Sequence, residues 1–152
     1  MWDTIFNAAN MLALVAWIAL ILLPRKPALL AGIMYCGIAL LCLIYSAGLV
    51  AVLTGLVSNG GAGEEAGFSS IAGVRAIFAS DSGVTIGWVH YLAFDLFVGL
   101  WIARNADAKG FARWVQAPIL SATFLAGPLG LFIWLIIREK RARVAAKAST
   151  AA

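Results

Sequence analysis

The sequence predicts an all-α integral membrane protein, a bundle of four transmembrane helices with a short amphipathic interfacial helix between helices two and three. Of the 152 residues, 63% are hydrophobic and only 12% are charged, and the mean hydropathy is +0.96. These values lie far outside the range of soluble globular domains. The charges are also clustered, which leaves apolar stretches long enough for a hydrocarbon core that takes about 20 helical residues.

The predicted spans place the whole chain, 1–152, in one membrane domain. They cover about residues 2–23, 28–57, 84–104 and 114–137. The first span begins without a basic segment or a clear cleavage site, so we interpret it as a retained helix and not as a signal peptide. It ends at the sequence PRKP, where prolines and charges terminate a helix.

The connection between helices two and three predicts a helix at the membrane surface over 68–79. Its apolar side chains share an arc of about 120° on a helical wheel, and they are Phe68, Ile71, Val74 and Phe78. Arg75 projects from within this arc, so we expect it to reach inward. Asp81 or Ser82 is expected to cap the third helix.

Small residues recur at four-residue spacing in helices two and four. The two series are Ala47, Ala51, Gly55 and Ala122, Ala126, Gly130. Such seams let helix backbones approach closely in lipid, and they fit packing within the bundle or a homo-oligomer. Pro128 predicts a kink over 124–127, because its ring clashes with the carbonyl four residues earlier.

Charge does not orient the four predicted spans. An even number of spans puts both termini on one side, with residues 138–152 as a basic tail. Five basic residues then fall on one side of the membrane and six on the other, so the positive-inside rule does not choose. The tail is interpreted as an anchor beside anionic membrane lipids, with no nucleic acid as a partner.

The third span, GWVHYLAFDLFVGLWIARN, contains the ionisable residues His90 and Asp95. Charged groups at membrane depth are costly and are therefore candidates for function. Five residues on a helix correspond to about 140° around its axis, so the two side chains lie on different faces. Tyr91 and Trp88 share a face with Asp95. The face of His90 carries Phe94, Phe97 and Trp101.

Several classes of chemistry lack their residues in this sequence. His90 is the one histidine, and a zinc or iron site needs further ligands. Cys36 and Cys42 are interpreted as small apolar packing residues. No dinucleotide-binding glycine motif, phosphate-binding loop or serine nucleophile elbow is present. We therefore expect no metal site.

The residues alone leave two interpretations of His90 and Asp95 open. In the first interpretation, Asp95 fixes the register of the helices through a hydrogen bond, and His90 donates to a nearby carbonyl or hydroxyl. In the second, both residues perform acid and base chemistry on a lipid-soluble substrate. The partners considered for Asp95 as a register residue are Asn7, Asn10, Tyr35 and Tyr45. A further hypothesis pairs Asp95 with Arg75, directly or through His90, Tyr91 or water.

Two blocks of the sequence resemble a known family. The W-x-H-Y-L-A-F-D-L-F core of residues 88–97 and the later G-P-L-G of residues 127–130 are similar to the bacterial branch of the abscisic-acid-deficient-four-like membrane proteins, whose plant members are neoxanthin synthases. The resemblance covers about residues 68–138, with a looser fit over helices one and two. Many members carry a basic residue after F-V-G, where this chain has Leu100.

The resemblance implies a membrane protein of the bacterial inner membrane that binds or isomerises a carotenoid or related isoprenoid without a cofactor. The catalytic residues that this chemistry suggests are His90, Asp95, Tyr91 and Arg75. The suggested substrate-binding residues are Trp88, Phe94, Phe97, Trp101 and Phe78. His90 with Arg75 is the favoured catalytic pair, with Asp95 as the orienting acid. The rival hypotheses are a small proton-coupled carrier and a noncatalytic scaffold that binds a pigment or a partner protein.

Overall fold

The computed structural model describes residues 1–57 and 66–150 of the chain, the last eleven of them as backbone alone. Within these residues every regular element is a helix. The helices are α1 (Trp2–Leu22), α2 (Pro27–Leu53), α3 (Ile71–Ile77), α4 (Asp81–Ala108), α5 (Arg113–Leu125) and α6 (Gly127–Thr150). The turns Ile33–Ala39 of α2 have π-helical hydrogen bonding. The prediction of an all-helical protein is confirmed.

Three of the described helices, α1, α2 and α4, are long and apolar enough to cross a membrane. Their contacts show how they run: Gly37 of α2 lies beside both Ala16 and Leu96, and Gly99 lies against Trp17. The helix α2 is therefore antiparallel to both α1 and α4. The helix α4 is the most buried of the three, because it packs against α1, α2, α5 and α6.

The ends of two helices differ from prediction. The helix α2 stops at Leu53 and not at residue 57, because Gly55 adopts a positive φ of 72°, which an α-helix does not accommodate. The helix α4 begins earlier than expected. Its N-cap is Ser80, whose hydroxyl oxygen accepts a hydrogen bond from the Gly83 amide at 3.1 Å, so the cap expected at Asp81 or Ser82 is wrong by one residue or more.

The segment predicted to form a fourth span, 114–137, is two helices folded against each other. The chain leaves the helical conformation at Ala126, and a Cβ added to Gly130 of α6 would collide with Thr123 of α5. Residues seven positions apart are separated by about two turns in a continuous helix. They contact each other in this way only where the chain reverses direction. The prediction of one continuous helix is therefore wrong, and we call residues 113–137 the helical hairpin.

The helical hairpin returns to the end of α4 from which it starts. The ring of Trp134 lies 5.0 Å from that of Phe111, in the turn before α5. Further along α6, the Arg138 guanidinium lies 5.8 Å from the ring of Trp101. A helix that crossed the bundle would move away from both residues, so the two arms enter and leave at one end.

Pro128 explains the position of the reversal. It sits at the second position of α6, where a helix needs no backbone donor, whereas inside a continuous helix it would remove a hydrogen bond. The predicted kink over 124–127 is confirmed in place, and it is a full reversal. Gly130 of this segment packs α6 against Thr123 of α5, while Ala47 and Ala51 of α2 line an open apolar cavity of about 390 Å³.

A buried polar cluster ties the hairpin base to the turn between α1 and α2. Arg25 forms an ion pair with Asp107 at 2.9 Å and donates to the Leu20 carbonyl at 3.1 Å, and its side chain is only 4% exposed. Arg113 donates to the carbonyls of Ile21 and Leu23 at 2.8 and 2.9 Å. These arginines satisfy the carbonyls that the end of α1 leaves without helical partners.

The helix α3 is shorter than the interfacial helix predicted over 68–79. Ser70 caps it by accepting a hydrogen bond from the Gly73 amide at 3.0 Å. Phe68 and Ile71 are 88% and 80% exposed, so the first half of the predicted apolar arc faces away from the protein. Arg75 is exposed as well. The expectation that Arg75 reaches into the bundle is wrong.

We predict that Gly130→Val destabilises the protein and that Gly32→Ala does not. A side chain at position 130 meets the backbone of Thr123, whereas position 32 has nothing within 4 Å. Overpacking of this kind costs about 1–3 kcal/mol, and more where backbone must move. Thermal unfolding in detergent measures both variants. Equal melting temperatures would contradict the close packing of the helical hairpin.

Candidate functional site

Asp95 lies at the middle of α4 and faces the tip of the helical hairpin. Its side chain is buried, with 8% of the residue exposed. The Oδ1 atom lies so close to Gly127 that a Cβ at this position would collide with the carboxyl group. Glycine at the start of α6 leaves room for the carboxyl group, which a larger residue would displace from its position.

The start of α6 provides a favourable environment for this carboxyl group. The Asp95 carboxyl group lies against Gly127, and the first amides of a helix carry a partial positive charge. The second oxygen, Oδ2, is buried and has no hydrogen-bond partner within the described part of the chain. A buried polar atom without a partner is costly, so the site retains one unused position for a proton or a ligand group.

Tyr91, one turn before Asp95, links the carboxyl group to the last turn of α5. Its hydroxyl donates to the Leu125 carbonyl at 3.3 Å and lies near the Asp95 carboxyl group. A phenol has one proton and here has two acceptors. When the proton points to Leu125, the Tyr91 oxygen is free to accept a proton from Asp95. The pair is thus arranged to pass a proton between them.

Two side chains of α1 hold Tyr91 through Trp88. The Trp88 ring stacks on that of Tyr91 at 5.1 Å and on that of Phe6 at 5.9 Å. Its indole N–H donates to Asn10 Oδ1 at 2.9 Å. Trp88 is 39% exposed and Leu125 is 73% exposed. We call Asp95, Tyr91, Trp88 and Asn10 with Gly127 the Asp95 site, which is buried at the carboxyl group and open at the aromatic rings.

His90 belongs to a different surface, as its spacing from Asp95 predicts. It is exposed, stacks on Phe94 at 4.6 Å and lies 5.3 Å from the Tyr45 ring. Among the described residues, neither His90 nor Arg75 hydrogen-bonds to Asp95. The described residues also show no hydrogen bond or ion pair between His90 and Arg75, the pair that the sequence favoured, and no contact of Asp95 with Arg75.

The remaining predicted binding residues are spread along α4. Phe97 and Trp101 line a cavity of about 310 Å³ near its C-terminal end. Phe78 lies against Gly87, where a Cβ would collide with its ring. Only Trp88, among the five residues predicted to bind substrate, touches the Asp95 site. In the described part of the chain no three His, Cys, Asp or Glu side chains are grouped to hold a metal ion.

Sequence reasoning missed Gly127 and Leu125, which supply backbone groups to the site. It proposed Asn10 as a partner of Asp95, whereas Asn10 accepts from Trp88. Tyr35, another proposed partner, is 72% exposed. The G-P-L-G sequence could have indicated these residues. It marks a break in a helix, where a neighbouring group must form hydrogen bonds with the unpaired backbone atoms.

A family model described as ABA DEFICIENT 4-like matches residues 4–134, most of the chain. This protein belongs to the ABA DEFICIENT 4-like family. The matched region contains the whole Asp95 site and both arms of the helical hairpin as far as Trp134. Family membership therefore confirms the resemblance of the two sequence blocks. No curated protein and no solved structure matches this ABA DEFICIENT 4-like chain.

We predict that Tyr91→Phe and Asp95→Asn are coupled, whereas Arg75→Gln and Asp95→Asn are additive. Groups in one hydrogen-bonded network show interaction energies of about 0.5–3 kcal/mol, and separated residues add within about 0.5 kcal/mol. Two double-mutant cycles on thermal stability in detergent measure these energies. Coupling of Asp95 with Arg75 alone would overturn the assignment of Tyr91 as the partner.

Proposed function

We propose that the protein binds a carotenoid or a related isoprenoid within the membrane and isomerises it by acid and base chemistry at Tyr91 and Asp95. The observation that carries this proposal is the buried carboxyl group with an unpaired oxygen, joined to a half-buried tyrosine. Membership of the ABA DEFICIENT 4-like family supports the isoprenoid class of substrate, through its relation to neoxanthin synthase.

The proposed reaction opens a ring epoxide to an allenic alcohol. One proton is added to the epoxide oxygen as the C–O bond breaks. Another proton leaves a carbon next to the ring as the new double bond forms. Atoms and electrons balance within the substrate, so no redox partner takes part. A phenol and a carboxyl group that exchange a proton supply both an acid and a base.

In this mechanism Tyr91 takes the role that the sequence analysis predicted for His90. Its ring is half-buried, and its hydroxyl lies between the Asp95 carboxyl group and the Leu125 carbonyl. Asp95 lies behind it and exchanges protons through it. His90 and Phe94 form a separate exposed aromatic surface, which in this proposal contacts the apolar chain of the substrate. Arg75, exposed on α3, has no part in the chemistry.

The proposed membrane arrangement has three spans and a re-entrant helical hairpin. Each arm of the hairpin is about half as long as a span requires, and the base of the hairpin and the C-terminal tail then share one side. Of the 11 basic residues, only Arg75 lies on the other side. The positive-inside rule accordingly places the N-terminus outside and the C-terminus in the cytoplasm of a bacterial inner membrane. The helix α3 lies at the outer surface.

A proton-coupled carrier is the second candidate. Helices that break at the middle of the membrane, beside an ionisable side chain, are typical of transporter binding sites. The reversal at Ala126 next to Asp95 has this geometry. A carrier and an isomerase differ in outcome, because the carrier moves its substrate unchanged.

For the isomerase, we predict that Asp95→Asn and Tyr91→Phe each lower turnover by about 10²–10⁴-fold, the usual contribution of a positioned acid or base. His90→Ala should weaken substrate binding more than turnover, and Arg75→Gln serves as the matched control with both unchanged. The assay follows conversion of a carotenoid epoxide by chromatography, and absorbance of the purified protein reports binding.

The outcomes of this assay separate the candidates. Wild-type turnover in both the Asp95 and Tyr91 variants would refute the proposed acid–base pair. Proton-coupled flux of an unchanged substrate into vesicles would favour the carrier. Pigment binding without any product would identify a scaffold.

For the membrane arrangement, we predict that a cysteine at position 69 is labelled from one side and cysteines at positions 112 and 149 from the other. The background carries Cys36→Ala and Cys42→Ala, and a membrane-impermeant maleimide is the probe. Four complete spans would instead place positions 69 and 149 on the same side. Labelling of that pair from one side would exclude the re-entrant hairpin.

A further inference from the structure

A cavity of about 310 Å³ lies at the hairpin end of the bundle, between α2 and the last turns of α4. It is lined by Met34, Phe97, Leu100, Trp101, Arg104, Asn105 and Ala108. This volume is at the lower end of ligand pockets, which measure roughly 300–1,000 Å³. The cavity is separate from the Asp95 site, because Asp95 does not line it and Phe97, two residues beyond Asp95, projects about 200° away around the axis of α4.

The polar end of the cavity has an unmatched cation and an unmatched acceptor. Arg104 is exposed and, within the described residues, forms no ion pair. The nearby carboxylate of Asp107 is already used by Arg25 at 2.9 Å. Asn105 Oδ1 is buried and has no hydrogen-bond partner among the described residues. An occupant of this end therefore needs a negative group for Arg104 and a donor for Asn105.

The other end of the cavity is apolar and continues along the outer surface of α4. Phe97 and Trp101 are 46% and 38% exposed, and they lie toward the middle of the helix from Arg104. The Arg138 guanidinium stands 5.8 Å from the Trp101 ring, which adds positive charge beside the polar end. A molecule that fits both ends is an anionic amphiphile whose headgroup also donates a hydrogen bond.

We propose that this cavity binds an anionic phospholipid with a hydroxyl-bearing headgroup, such as phosphatidylglycerol. The phosphate pairs with Arg104, a headgroup hydroxyl donates to Asn105 Oδ1, and an acyl chain covers Phe97 and Met34. Arginine is suited to phosphate because its guanidinium presents paired donors. The site goes beyond the isomerase proposal, since the lipid is a bound partner and not a substrate.

The test measures lipid-dependent thermal stability of the full-length protein in nanodiscs of phosphatidylcholine with or without phosphatidylglycerol. We expect phosphatidylglycerol to raise the melting temperature of the wild type. Arg104→Gln should weaken the apparent affinity about tenfold, as expected for loss of one charge-assisted hydrogen bond. Lys109→Gln is the matched control, because it removes the same charge at the same end without lining the cavity, and it should retain the full shift.

Three further outcomes decide the assignment. Asn105→Leu should remove the preference for phosphatidylglycerol over phosphatidic acid, whose headgroup lacks the glycerol hydroxyls. Equal losses in Arg104→Gln and Lys109→Gln would overturn the site in favour of general surface charge. An equal shift with soluble glycerol phosphate at the same concentration would overturn the lipid as the source of the phosphate. Wild-type turnover in Arg104→Gln would leave the isomerase proposal standing whichever result the lipid assay gives.

Discussion

The contact between the Asp95 carboxyl group and Gly127 is the constraint on which the rest of the hairpin depends. It brings the middle of the central helix to the start of α6, in the space where any other residue would place a Cβ. A helix reversal in hydrocarbon exposes backbone donors and acceptors that have no water to meet them. The Asp95 carboxyl group lies against the first residue of α6, and Tyr91 donates to the Leu125 carbonyl at the end of α5. One turn of α4 thus contacts both sides of the break.

The same contact couples structure to chemistry. A carboxyl group held at a helix start is oriented without water, and its second oxygen has no partner in the described chain. The Asp95 carboxyl group can therefore both fix the register of the helices and transfer a proton. The group that lies against the reversal is also the group with spare hydrogen-bonding capacity, and the Trp88 ring beside it is partly exposed.

The positions of α1, α2 and α4 were predicted closely from the sequence, because long apolar runs are a direct indication of membrane-spanning helices. Sequence analysis did not predict the helical hairpin. A single helix that spans the membrane and two half-length helices joined at Pro128 have the same hydropathy. Sequence analysis separated His90 from Asp95 correctly, because that relation depends on the geometry of one helix. It failed for Arg75, whose position depends on how α3 docks, and for Gly127, whose contact joins residues 32 positions apart. Local periodicity does not encode such long-range contacts.

The hairpin has a consequence for how the chain enters the membrane during synthesis. Neither arm is long enough to halt at the translocation channel as an independent span, since a span takes about 20 apolar residues. The arms also carry a backbone break that hydrocarbon alone does not tolerate. In the proposed re-entrant arrangement, the hairpin therefore inserts against a surface already formed by α1 and α4. The Asp95 site is then completed only when the hairpin docks on α4, which makes α4 the support that keeps residues 113–137 within the bilayer.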